Sequence, residues 1–238
     1  MKYHFLLCLP FIILVSLISC QSNGTSEKQA AADNTSTTTA NAKNNQDGAP
    51  LNELIATYDP PDRELWQKPQ LVIQKMGNLS KKTVADIGAG SGSFARRLAQ
   101  VAQKVIAIEL DNRFIMYMDS IKRVELSEEY QSRFETRLAT PTDSKLNVGE
   151  ADIILMVNTY MYIADRAAYL QHLIERLPEG GKVVIVDFKK KRIPIRNPSQ
   201  RLRLPLFEVE KELESAGFNS ITSDDRSLDY QYIVMASK

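Results

Sequence analysis

Residues 84–94, V-A-D-I-G-A-G-S-G-S-F, constrain the fold more than any other stretch of the chain. An apolar run carries Asp86 near its end, glycines follow at 88, 90 and 92, and a helical pattern starts directly afterwards. This reads as a strand, a tight turn and a helix N-terminus, the arrangement by which an α/β sheet brings backbone against a polar ligand. Glycine suits the turn because a Cβ obstructs positive φ and close ligand approach. The spacing is D-x-G-x-G-x-G. A dinucleotide fingerprint needs glycine at position 93, where Ser93 stands, so the turn departs from the dehydrogenase pattern.

The next apolar run, 105–110, carries Glu109 near its end. An acid about 20 positions past the glycines, at the end of the second strand, is placed to accept hydrogen bonds from ribose hydroxyls. Asp111 is the neighbouring alternative, and it is equally well placed to cap the helix that follows.

Further along, strands are predicted at 83–87, 105–110, 135–138, 152–157 and 182–188, with 220–223 and 230–236 as an antiparallel hairpin. Residues 61–76 read as a short helix, a break and a second helix, with Pro69 in a first turn and Gly77 as a C-terminal cap. Helical spacing puts Phe94, Leu98 and Val101 on one face, extends from Asn112 to about Arg123, gathers Leu170, Leu173, Ile174 and Leu177, and runs from Glu208 to Ala216. Repeated β-α units predict an α/β fold with a parallel sheet and helices on both faces. Asp86, Glu109, Asn158 and Asp187 then fall at strand C-termini and converge on the crevice at the topological switch point, where such sheets bind ligands.

The chain ends differ from this material. Residues 1–20 have Lys2, an apolar stretch from Phe5 to Ile18, and Leu17-Ile18-Ser19-Cys20, the layout of a secretory signal. The ending resembles the lipobox of bacterial lipoproteins, which implies lipid modification at Cys20 and a domain anchored to the cell envelope on the exported side. Residues 21–50 are a polar tract of Ser, Thr, Asn, Ala, Gln and Lys that cannot offset the entropy of ordering. A tether of that length reaches ~30 Å. Residues 51–238 are long enough for one core.

Composition narrows the function classes. The net charge of +1 argues against a strong nucleic-acid footprint. The basic cluster from Lys189 to Arg192, with Arg196, Arg201 and Arg203, reads as a solvated loop, or as a contact for an anionic substrate or lipid headgroup. The cysteines are Cys8 and Cys20, and the histidine of the domain is His172, expected at the surface of a helix. No metal site of His and Cys and no His-based triad is expected in 51–238.

With its turn, Glu109 and the repeated units, the domain resembles the class I S-adenosylmethionine-dependent methyltransferases. The resemblance implies a Rossmann-like, seven-stranded, mostly parallel sheet with the last strand antiparallel. The segment 152–163, D-I-I-L-M-V-N-T-Y-M-Y-I, is similar to the fourth motif of that family, and 177–190, L-P-E-G-G-K-V-V-I-V-D-F-K-K, to the turn and strand after it. Residues 63–69, R-E-L-W-Q-K-P, and 229–232, D-Y-Q-Y, resemble a bacterial subgroup of methyltransferase-domain proteins. In that subgroup histidines often stand where this chain has Met161 and Tyr162.

The resemblance implies S-adenosylmethionine as cofactor. Gly88, Gly90 and Gly92 are expected along its methionine portion, Asp86 at its ammonium, Glu109 at the ribose, Thr140 (with Asp143) near adenine and Asn158 beside the sulfonium. Asn158, Tyr160 and Asp187 are the expected catalytic residues, with Tyr162 a further candidate base. Trp66 and Gln67 are read as an N-terminal lid or as packing on the sheet. The expected acceptor is a small or lipid-like molecule, with no nucleic-acid partner. The alternative is a non-catalytic binding protein of the same fold. A nucleotide-dependent oxidoreductase is opposed by the loop spacing.

Overall fold

A computed structural model describes residues 48–238. The signal, Cys20 and nearly all of the polar tether lie outside the described residues. The chain runs through α1 (Leu51–Tyr58), α2 (Arg63–Gln67), α3 (Pro69–Lys75), β1 (Thr83–Ile87), α4 (Ser93–Leu98), β2 (Lys104–Glu109), α5 (Asn112–Glu125), α6 (Glu128–Ser132) and β3 (Phe134–Leu138). It continues through β4 (Ile153–Val157), a 3₁₀ turn (Tyr160–Tyr162), α7 (Arg166–Arg176), β5 (Lys182–Phe188), α8 (Leu206–Ser215), β6 (Asn219–Asp224) and β7 (Gln231–Ser237).

The seven strands form one sheet in the order β3-β2-β1-β4-β5-β7-β6. Strands β1 to β5 pair in parallel, and β7 is antiparallel to both β5 and β6. The final strand therefore slots between β5 and β6. The order reverses between β1 and β4, which makes their C-terminal ends the switch point.

Alternation along the strands divides the core into two faces. On β4, Ile153, Leu155 and Val157 join Val72, Phe94, Leu98 and Met118 on one side. Ile154 and Met156 join Leu170, Leu173, Val209 and Leu213 on the other. Burial on both faces is the reason the sequence here is continuously apolar.

Most element limits agree with the sequence reading to within one or two residues; α7 starts at Arg166, four residues before the first apolar position of its stripe, and the 3₁₀ turn at Tyr160–Tyr162 is additional. Helix α1 was not anticipated. Val101 was expected on the buried face with Phe94 and Leu98, but α4 stops at Leu98 and Val101 is 45% exposed, against 2% for Phe94 and 0% for Leu98. The chain turns out of the helix one turn early, so the apolar spacing runs past the point where it has geometric meaning. Leu98→Ala should accordingly cost about 2–5 kcal/mol in denaturant unfolding, whereas Val101→Ala should stay within about 0.5 kcal/mol of wild type.

Candidate functional site

After β1 the chain turns through Gly88, Gly90 and Gly92, with φ of 76°, 55° and 75°. The three glycines serve different ends. A Cβ on Gly88 would lie 2.3 Å from Thr159 Oγ1, and one on Gly92 would lie 3.0 Å from the Met118 side chain. Nothing lies within 4 Å of the Cβ position on Gly90, so the middle of the turn borders open space.

Glu109, at the end of β2, closes over this turn. Its Oε2 accepts from the Gly90 amide at 2.9 Å, and its Oε1 accepts from the amides of Leu110 at 2.6 Å and Asp111 at 3.3 Å. Asp111 instead caps α5, its Oδ1 accepting from the Arg113 amide at 2.8 Å. Of the two acids weighed from sequence, Glu109 is the one at the glycines. Thr140 is exposed in the loop after β3, bonded backbone to backbone with Asp143, and the preceding Ala139 amide donates to the Glu109 carbonyl at 2.9 Å.

Asp86 lies beneath the turn, 2% exposed, and its Oδ2 has no partner among the described residues. Burial pushes its carboxyl up to about 7; the nearby Arg63 guanidinium opposes the shift and the Glu109 carboxylate adds to it.

Arg63 comes from the N-terminal segment, which the sequence reading did not place in the site. Its Nη1 donates to the Tyr58 carbonyl and lies 3.6 Å from Asp59 Oδ1, and its Nε donates to Gln67 Oε1. Asp59 Oδ2 accepts from Ser91 Oγ at 3.0 Å, which ties this segment to the glycine turn.

A directed chain of hydrogen bonds leads on from Arg63. A guanidinium can only donate, so Gln67 must receive through its oxygen. Gln67 Nε2 then donates to Gln231 Oε1 at 3.3 Å, and Gln231 Nε2 donates to Asn158 Oδ1. Both glutamines are fully buried. Asn158 stands just past β4 at φ 56°, a conformation that asparagine tolerates better than most residues. Asn158 thus receives the far end of this line through its oxygen. The two sequence segments that carried the subgroup resemblance are thus physical neighbours: Trp66 also packs on Tyr230 with centroids 6.4 Å apart, and Lys68 Nζ lies 3.7 Å from Asp229.

Several expected site residues sit elsewhere. Tyr160 is fully buried and its hydroxyl donates to Glu212 Oε2 at 2.6 Å, within a network that includes Arg166. Burial first, and then Glu212, raise its pKa well above that of a free phenol. The residue faces α8 and acts as packing. Asp187 is fully buried; its Oδ2 accepts from the Met161 amide at 3.2 Å, its Oδ1, like Asp86 Oδ2, has no partner among the described residues, and burial raises its carboxyl well above the usual range. It supports the 3₁₀ turn from below rather than standing as an exposed base. Tyr162 is 37% exposed at the rim, its phenol pushed up to about 12 chiefly by burial. Trp66 packs on Phe188 at 5.6 Å, the packing option rather than the lid. His172, expected at the surface, is half-buried and bonds Ser144 Oγ at 3.0 Å, holding the loop after β3.

A glycine turn at the switch point, a buried acid under it and a second acid across it define an α/β protein built to hold a polar, nucleoside-like ligand. Residues 62–223 match a family model described as "Methyltransferase domain", and the chain belongs to that family. It is similar to a ribosomal RNA small subunit methyltransferase of Arabidopsis thaliana, 30% identical over 103 residues, which are 42% of this chain and 25% of that protein. The chain thus spans only part of that relative's length. Among solved structures it resembles a SAM-dependent methyltransferase from Aquifex aeolicus at 22% identity and a TM-score of 0.70, over 79% of this chain and 98% of that one. It also resembles Haemonchus contortus phosphoethanolamine N-methyltransferase 2 in complex with S-adenosyl-L-methionine, at 15% identity and a TM-score of 0.60, over 73% of this chain and 52% of that one. The fold is therefore that of the class I methyltransferases.

The raised pKa of Asp86 has a stability consequence of definite sign. The folded state holds this proton to higher pH than the unfolded state, so the stabilising contribution is complete below about 4 and is lost as pH rises towards about 7. Asp86→Asn should lack this decline. In urea titrations its advantage over wild type should grow from pH 4 to 7, to at most about 4 kcal/mol, and level off above.

Proposed function

We propose that the protein is an S-adenosylmethionine-dependent methyltransferase acting on a small or lipid-like acceptor. The observation that carries this reading is the orphaned Oδ2 of Asp86 beneath a turn whose middle glycine borders open space, with Glu109 across it. These residues fit the cofactor: Asp86 would take its ammonium, the backbone at Gly88 and Gly90 its amino-acid portion, Glu109 its ribose hydroxyls, Thr140 the adenine side and Asn158 the end nearest the transferring group.

When bound, that cofactor supplies an electrophilic methyl on a sulfonium, and transfer to an acceptor lone pair leaves a neutral thioether. The chain's task is positioning and exclusion of water, which in-line displacement requires more than it requires an elaborate catalytic group. Asn158 orients by donating from its amide nitrogen. Asp86 and Glu109 hold the cationic and hydroxyl ends. The segment carrying Asp59 and Arg63 covers the turn. Tyr162 is the titratable group at the rim, while Tyr160 and Asp187 drop out as bases for the reasons given above.

That shortage of an exposed base favours a second reading, in which the same pocket binds a nucleoside-like ligand without turnover. Calorimetric titration with S-adenosylmethionine, S-adenosylhomocysteine and NAD separates the readings from a dehydrogenase. Binding of the first two and not of NAD is expected, and turnover with candidate acceptors then distinguishes enzyme from binder. Glu109→Ala should weaken cofactor binding by about 1.5–3 kcal/mol. Gly90→Val should abolish it while leaving the fold intact, because the side chain fills the open space and resists positive φ. Wild-type affinity in both variants would place the ligand elsewhere.

The proposal extends to location: a domain lipid-anchored through Cys20 on the exported side of a bacterial membrane. The lipobox-like ending and the polar tract support it. Multiple acylation anchors firmly where one chain does not. Cys20→Ser should release the protein from the membrane fraction or leave its signal uncleaved, and the intact mass of the wild-type chain from its native host should show the modification. A wild-type mass retaining an unmodified Met1 would refute this placement.

A further inference from the structure

The segment between β5 and α8, residues 189–205, starts two residues after Asp187, and its Arg203 interacts electrostatically with Tyr162. It carries lysine or arginine at 189, 190, 191, 192, 196, 201 and 203, and no Asp or Glu, in a chain whose net charge is only +1. Elsewhere the cations are largely paired: Arg63, Arg96, Arg137, Arg166 and others lie against carboxylates. In this segment Lys190, Lys191, Arg192, Arg196 and Arg201 are all exposed. None of the five side chains takes part in any ion pair or hydrogen bond found among the described residues.

The segment is nonetheless fastened down. Arg203 is 2% exposed, and its guanidinium donates to the carbonyls of Lys191 at 3.2 Å, Ile195 at 2.6 Å and Pro198 at 2.9 Å while lying 5.7 Å from the centre of the Phe188 ring. Lys189 Nζ donates to the Leu228 carbonyl at 2.7 Å. Two basic residues therefore hold the loop's shape and five are left presented outward. Ile193 and Ile195 pack half-buried against the core, and Phe207, in the first turn of α8, is 70% exposed. An unpaired cationic loop flanked by an exposed aromatic is the composition of a surface that meets acidic lipid, where each basic side chain adds to adsorption and an aromatic ring enters the headgroup layer. No helix of the described residues is long and apolar enough to cross a membrane, so such contact would be made by the surface.

We propose that residues 189–207 form a docking surface for membranes rich in acidic phospholipid, holding the rim of the crevice against the bilayer. The inference rests on the charge and fastening of the loop. It requires neither the lipid anchor nor the methyltransferase reading.

The test is co-sedimentation of the full chain with vesicles of phosphatidylcholine alone and of phosphatidylcholine mixed equally with phosphatidylglycerol. The N-terminal apolar stretch contributes to both, so the quantity read is the increment due to the acidic lipid. Wild type should show an increment of at least about tenfold in partitioning, reduced by high salt. The triple charge reversal Lys190→Glu, Arg192→Glu, Arg196→Glu should abolish it, and Phe207→Ser should reduce it. S-adenosylhomocysteine titration of the same variants reports separately on the cofactor site and is expected to be unchanged. Increments equal to wild type in the triple variant would overturn the proposal. So would a short RNA hairpin that bound through these same residues more tightly than the acidic vesicles, which would make the loop an RNA contact.

Discussion

Two strand ends touch at the switch point, and the site depends on that contact. Gly88 at the end of β1 and Thr159 after β4 come so close that no side chain fits at position 88. The approach brings the glycine turn and the left-handed Asn158 to the same edge of the sheet, with Asp86 buried under one and the Gln231–Asn158 bond under the other. A parallel sheet buried on both faces gives these ends little room to shift, because each neighbouring residue alternates into one of two filled cores.

Polar groups buried at this edge are arranged in a few connected sets. Glu109 draws three backbone amides together, and Arg63, Gln67, Gln231 and Asn158 form one directed line. The direction of that line is set at its start by a residue that can only donate, and it makes Asn158 an acceptor at the far end. Asp86 and Asp187 each keep one carboxyl oxygen without a hydrogen-bond partner among the described residues, and of the two Asp86 lies under the glycine turn. A buried acceptor left unsatisfied costs stability, which a ligand that donates to it would recover.

The strands, the glycine turn and Glu109 were legible in the sequence because each depends on local rules. Apolar runs mark doubly covered strands, glycines mark positive φ, and an acid at the end of the second strand has a fixed place relative to the first. The N-terminal contribution was legible only in part. Residues 63–69 and 229–232 stood out as matching segments, yet nothing in their local pattern says that they touch each other across a separation of more than 150 residues. The aromatic and acidic residues after β4 and in β5 were misread for a related reason. A tyrosine or aspartate near a strand end looks the same in sequence whether its polar atom faces the crevice or, as with Tyr160 and Glu212, a helix packed behind it.

The sequence by itself determined the α/β class, the location of the glycine turn and the acid that faces it, because backbone dihedrals and strand periodicity are short-range properties. Only the tertiary structure decided that Asp86 is buried with one oxygen lacking a partner, that Asn158 receives a hydrogen bond from Gln231, that Tyr160 and Asp187 are fully buried, and that five cations after β5 have no carboxylate partner among the described residues. Each of these depends on which distant side chain or backbone group arrives beside a given atom. That is settled by how the helices and the final antiparallel strand pack on the sheet, and local sequence does not specify it.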